Sequence, residues 1–159
     1  MENFEDTWTF WNHINKEGWT IKSFKELLKI NSAENFWSFF NNLDKLNNIF
    51  SKHLFLMLND TKPIWEDEMN RNGGCWSFKV NDKNYMNLFK KLSILLVTKE
   101  ISNDKNDIVG ISICPKKNNF FVIKIWNKDS NKCSLSLLNK KILEEWGTEI
   151  IYIAHMLDT

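Results

Sequence analysis

At 159 residues the chain has the length of one domain with room for a core, and its 43% hydrophobic and 26% charged content is that of an ordinary globular protein. A net charge of +1 and a pI near 7.7 exclude a protein that grips long nucleic acid mainly through its phosphates, so a nucleic-acid ligand should be short or read by its bases. Three scattered cysteines, Cys75, Cys114 and Cys133, read as free thiols in a reducing compartment, and three scattered histidines, His13, His53 and His155, offer no zinc-ligand spacing.

The acidic start, MENFEDTWTF, lacks a cationic region followed by an apolar run, so no signal peptide is expected there. No segment approaches the roughly 18 apolar residues of a membrane span. The expected location is the cytosol. Residues 7–13, TWTFWNH, alternate as a strand does, and 19–30 do so less cleanly. Asn31 with Glu34 resembles a capping box opening a helix whose Phe36, Phe39, Phe40, Leu43 and Leu46 share one face. HLFLML (53–58) reads as a short strand and CWSFKV (75–80) as the next. Residues 84–98 form a second helix with Tyr85, Phe89, Leu92, Leu95 and Leu96 as its buried stripe. DIVGISIC (107–114) and FFVIKIW (120–126) make a strand pair joined by residues 115–119. A third helix spans about 134–146 and stops at Gly147, and EIIYIAH (149–155) is a final strand. The pattern predicts an α+β domain over 1–159: an antiparallel sheet with three helices on one face.

Two apolar residues break the helical stripes. Trp37 lies about 120° from the centre of the first stripe and Ile94 about 160° from the centre of the second, at 100° per residue. A single exposed apolar residue is commonplace, but tryptophan is enriched at interface hot spots, so a protein-docking surface is one reading of Trp37. Eight Trp and twelve Phe also exceed what a core needs and invite flat surfaces for stacking.

The stretch KPIWEDEMNRNGGCW (62–76) puts Trp65 directly before Glu66, Asp67 and Glu68. Pro63 and Asn72-Gly73-Gly74 bound a loop, because a buried strand does not tolerate such a carboxylate run. Three readings follow. The acidic trio could hold a metal or do acid–base work, although no His or Ser partner is near. Asp67 and Glu68 could be a solvated acidic turn. Glu66 beside an indole could read guanine, whose N1–H and N2–H₂ donate side by side to one carboxylate. Methylation at N7 makes that base cationic and attracts Trp faces by roughly 0.5–2 kcal/mol per ring, with stacking adding about 1–3 kcal/mol per base. From Lys116 to Leu143 seven lysines (116, 117, 124, 128, 132, 140, 141) face a single Asp129, which reads as a solvated face or, for two or three of them, an anion site.

The segments TWTFW (7–11), EGW (17–19), AENFWSFFN (33–41), KPIWEDEMNRNGGCW (62–76), DIVGISI (107–113), KIW (124–126) and YIAHMLDT (152–159), in that order, resemble the eukaryotic translation initiation factor 4E family over nearly the whole chain. That resemblance implies a curved sheet of about eight strands backed by three helices on the convex side, with a slot for the 7-methylguanosine cap of messenger RNA on the concave side. It implies that Trp19 and Trp65 sandwich the base, that Glu66 reads guanine while the Trp65 N–H meets O6, and that Trp126 lies against the methyl group. Lys116 stands where the family places a phosphate-binding arginine, or is an ordinary turn lysine, and His155 resembles a histidine beside the pocket. Trp8, Trp11, Trp76 and Trp146 are left to packing. Trp37, with Ile94 near a partner leucine, matches a helical surface that docks scaffold or repressor peptides. The implied protein is a monomer that is no enzyme and needs no cofactor, metal or membrane.

The departures are specific. Val122 stands where a second phosphate-binding lysine is expected, leaving Lys117 or Lys124 to substitute. Lys90 and Lys91 fall where the docking helix carries an acidic residue, and the His-Pro pair before the first tryptophans is absent. The sequence stops at Thr159, where an extension closing over the cap-adjacent nucleotides is expected to be missing. This Asn- and Lys-rich, minimal form suggests a protist or large-DNA-virus source. Against a factor that recruits messenger RNA stand a cap-binding repressor or decoy, an enzyme using Mg²⁺ on the acidic trio, and a general single-strand RNA binder.

Overall fold

The computed structural model describes residues 3–13, 20–42, 53–81, 85–117 and 120–155. Within them seven strands form one curved antiparallel sheet: β1 (Asn3–His13), β2 (Phe24–Ser32), β3 (Leu54–Leu58), β4 (Gly74–Asn81), β5 (Ile108–Lys116), β6 (Phe120–Asn127) and β7 (Ile151–Ala154). Their order across the sheet is β2-β1-β3-β5-β6-β4-β7. Three α-helices, α1 (Ala33–Asn41), α2 (Tyr85–Val97) and α3 (Lys140–Trp146), pack on one face, as the alternating strands and helical stripes predict.

Period-two alternation divides the strand residues between the faces. Trp8 and Phe10 of β1, Leu54 and Leu56 of β3, Trp76 and Phe78 of β4, Ile111 and Ile113 of β5, and Ile123 and Ile125 of β6 join Phe36, Phe89 and Leu92 of the helices in the main core. The neighbours in between, Phe55, Met57, Cys75 and Trp126, face the other way and form a second, smaller cluster with Phe24 and Val109. Trp146 is half-buried and stacks on Phe78, with ring centroids 5.7 Å apart.

Several boundaries differ from expectation for local reasons. The cap of α1 is Ser32, whose Oγ accepts the Asn35 N–H, while the Asn35 side chain accepts the Ser32 N–H at 3.1 Å. Asn35 thus does the work expected of Glu34 one residue earlier. Leu43 and Leu46 lie outside the described residues, as does Trp19 of the expected 19–30 strand. In its described part, Ile21–Ser23 is a 3-10 turn, and the strand expected there begins at Phe24 as β2. The third helix is split. Leu135–Leu137 is a 3-10 turn, Leu138 is extended and buried with Ser102 bridging to it, and Asn139 starts α3 by accepting the Lys141 N–H. Gly147 ends α3 in the right-handed region (φ −52°, ψ −39°), so the chain runs on into another 3-10 turn rather than reversing through a left-handed glycine. β5 continues through Pro115 because its pairing with β3 stops at Ile113. A missing N–H is tolerated where one side of the strand has no neighbour.

The three cysteines are unpaired. Among the described residues no helix is long and apolar enough to cross a membrane, and no His, Cys, Asp and Glu cluster is arranged to hold a metal ion.

Candidate functional site

The 62–70 loop is folded on its own polar groups. The Asp67 carboxylate accepts the backbone N–H of Lys62 and of Met69, both at 2.9 Å. The buried Asn70 amide donates to the carbonyls of Lys62 (2.9 Å) and Ile64 (2.8 Å). Asp67 is therefore a structural acceptor inside the turn and not the solvated carboxylate expected; Glu66 and Glu68 are exposed. Ile64 and Met69 pack onto the second cluster and fix the loop against the sheet. At the loop's far end Gly73 and Gly74 allow a close crossing, since a Cβ on Gly73 would collide with the Asn127 carbonyl and one on Gly74 with the Tyr152 hydroxyl.

This folding leaves Trp65 48% exposed at the rim of the sheet. Its ring stacks on His155, with centroids 5.5 Å apart and planes 22° apart. His155 is held by its own N–H donating to the Gly73 carbonyl (2.8 Å), and its ring lies 5.1 Å from that of Trp126. Trp126 is buried, and its Nε1–H donates to Ser112 Oγ at 3.0 Å.

Between loop and sheet lies a cavity of about 480 Å³. Trp65, Glu66, Pro63 and Ile64 line it from the loop; Phe24, Phe55 and Trp126 form its apolar floor. Ser112, Cys114, Lys116, Lys124 and His53 supply the polar wall. These positions follow from strand parity: Ser112, Cys114 and Lys116 alternate along β5, Lys124 and Trp126 along β6, and Ser112 pairs directly with Lys124. Neither lysine forms an ion pair among the described residues, and neither does Glu66. Burial, His13 and the two lysines push His53 down to about 4, and burial with Lys124 pushes His155 down to about 4. Both rings are neutral at neutral pH. Cys114 Sγ lies 3.0 Å from His53 Nε2; burial raises its thiol while the same lysines pull it back.

The structure thus brings Trp65, Glu66, Trp126 and Lys116 to one cavity, with His155 behind Trp65 rather than in the lining. Lys117 is exposed just beyond β5 and lies off the wall, whereas Lys124 is part of it. Trp19 lies outside the described residues. Trp37 is 41% exposed on α1, with Lys90 Nζ 5.0 Å over its ring. Ile94, on α2, is half-buried and packs against the core. Sequence reasoning did not place Phe24, His53, Phe55, Ser112 or Cys114 here. Parity would assign Ser112 and Cys114 to the face of Trp126, but only once the β5–β6 register is known.

Residues 3–156 match the family model for eukaryotic initiation factor 4E. The eukaryotic translation initiation factor 4E of Dictyostelium discoideum is 33% identical over 152 residues, a match covering 88% of this chain and 59% of that protein. That of Candida albicans is 29% identical over 147 residues, covering 85% of this chain and 68% of its own. Relative to the Dictyostelium protein, then, the chain spans 59% of its relative's length. Among solved structures, Ascaris suum eIF4E-3 with an m7G cap has a TM-score of 0.78 at 19% identity, over 99% of this chain and 93% of that one. Caenorhabditis elegans eIF4E-3 with the 4E-binding protein Mextli and a cap analog has a TM-score of 0.79 at 20% identity, over 97% and 92%. At such identities the structural likeness speaks for the fold.

Proposed function

Because the chain belongs to the eukaryotic initiation factor 4E family, we propose that its cavity binds the 7-methylguanosine cap of messenger RNA and recruits the message for translation initiation. One observation carries this reading: an exposed indole, Trp65, backed by a second ring and followed by the free carboxylate of Glu66, at the mouth of a cavity whose far wall holds two lysines. The open face of Trp65 stacks on the cationic base, Trp19 supplies the opposite ring, and Glu66 accepts the guanine N1–H and N2–H₂. The Trp65 N–H meets O6 and Trp126 lies against the methyl group. Lys116 and Lys124 hold the phosphates; the exposed Lys117 has the weaker claim.

No bond is made or broken in this reading: the protein is a binding module, acting as a cytoplasmic monomer. Trp37 and Ile94 present the helical side to a scaffold or repressor peptide. Lys90, lying over the Trp37 ring, and Lys91 beside it favour a second reading, a cap-binding repressor or decoy that does not take the usual scaffold. Pull-down with an intact scaffold peptide, against a Trp37→Ala control, separates the two. The Asn- and Lys-rich composition is the argument for a protist or viral source.

The test of cap binding is a tryptophan-fluorescence titration with 7-methyl-GTP and GTP. Quenching with much tighter binding of the methylated nucleotide is expected. Equal affinity for the two would overturn the sandwich.

A further inference from the structure

On the strength of the cap reading, we propose that the sheet face beyond the cavity, at Lys79 and Phe120, holds the first nucleotides that follow the cap. On β6 the residues sharing the cavity face run Trp126, Lys124, Val122, Phe120, so Phe120 stands about 20 Å from Trp126 along the strand. Across the strands Phe120 is opposite Lys116 on β5, and Val122 is opposite Lys79 on β4. Lys79 reaches diagonally to Phe120, its Nζ lying 5.0 Å from the ring centroid. The half-buried ring is therefore flanked by a cation on each neighbouring strand.

The charge on this face has one sign. The positions of β4, β5, β6 and β7 that share it carry Lys79, Lys116 and Lys124 and no Asp or Glu. None of the three lysines forms an ion pair among the described residues. A continuous cationic strip with an aromatic platform is what single-stranded nucleic acid requires: lysines follow the phosphates and a base lies on the ring without regard to its identity. The strip begins in the cavity wall at Lys124 and Lys116, so a chain leaving a cap held there is led onto it. In this arrangement Lys116 meets the phosphate before the base on Phe120, and Lys79 the phosphate after it.

The experiment compares 7-methyl-GTP with a capped five-nucleotide RNA on the parent protein, on Phe120→Ala and on Lys79→Ala. The capped RNA should bind roughly tenfold more tightly than 7-methyl-GTP, the worth of one stacked base. Both variants should lose most of that gain and keep the 7-methyl-GTP affinity, and Lys79→Ala should flatten the logarithmic salt slope for the RNA by about 0.7. If the parent binds 7-methyl-GTP but gains nothing from the added nucleotides, as a face made for an acidic peptide would, this proposal falls and the cap reading stands. It falls as well if both variants keep the full gain. If the parent binds neither ligand, the cap reading fails and this one with it.

Discussion

The imidazole of His155 lies almost flat against the indole of Trp65, 22° off parallel, and so covers one of the two faces that the indole has to offer. Only the other face is open to a base. The same imidazole touches Trp126, so one neutral ring sets the position of two aromatic walls. Under the cap reading, then, His155 would act on the base only through Trp65 and Trp126, since it does not line the cavity itself.

Acid should undo this arrangement. His155 and His53 are both lowered to about 4 from an ordinary 6.5, chiefly by burial, with Lys124 adding to both. Each folded value lies below the unfolded one, so the unfolded chain takes up protons first. The stability they contribute is complete above about pH 6.5 and is lost as the pH falls through about 4. Urea melts across this range should show it, and His155→Phe, which keeps the stack, should remove about one proton from the slope. A flat profile between pH 4 and 6.5 counts against the neutral-ring picture.

Trp65→Ala should weaken 7-methyl-GTP binding by roughly 1–3 kcal/mol, the value of one stacked base, and Trp19→Ala should do the same. Glu66→Gln should cost at least as much, about 1.5–3 kcal/mol, because the amide presents an NH₂ where guanine also donates. GTP affinity should fall less in the tryptophan variants than in Glu66→Gln, since only the methylated base is cationic. Isothermal titration of both nucleotides reads all of this.

Lys116→Ala and Lys124→Ala should each weaken binding of 7-methyl-GTP and leave that of 7-methylguanosine, which has no phosphate, nearly unchanged. Lys117→Ala should change neither. If Lys117 rather than Lys124 proves sensitive, the phosphates leave by the turn after β5 and not across the β6 wall.

Asp67→Ala should free the Lys62 and Met69 amides, at a cost of about 1–3 kcal/mol for donors left without an acceptor. Hydrogen exchange at those two amides should speed up in this variant, and 7-methyl-GTP binding should weaken although Asp67 lies outside the cavity lining. Unchanged exchange would mean that the Asn70 hydrogen bonds and the apolar contacts hold the loop without Asp67.

The parts of the fold readable from sequence are those set by local period: the strand at 53–58, the helix over 84–98 and the 120–126 strand all recur within a residue or two. Trp65 and Glu66 stood out because a carboxylate run is incompatible with a buried strand. What stayed hidden depends on contacts between distant segments. The Asp67 role needs the loop to fold back on Lys62, and Leu138 breaks the expected third helix because Ser102 bridges to it from more than thirty positions earlier in the chain. Lys124 and Val122 show the same limit. Choosing Lys124 over Lys117 required knowing which way β6 faces, and a lysine count over 116–143 carries no such direction.

Since β6 sends Ile123 and Ile125 into the helical core and Lys124 and Trp126 into the cavity, its length matters more than its composition. Inserting or deleting a single residue within it would turn the strand inside out, driving the lysine and the indole into hydrocarbon and bringing the isoleucines to the ligand. Over evolutionary time such indels should be confined to the connections between strands, while substitutions accumulate on β6 itself. The three-residue link between β5 and β6 is the natural place for a relative of different length to take up the slack.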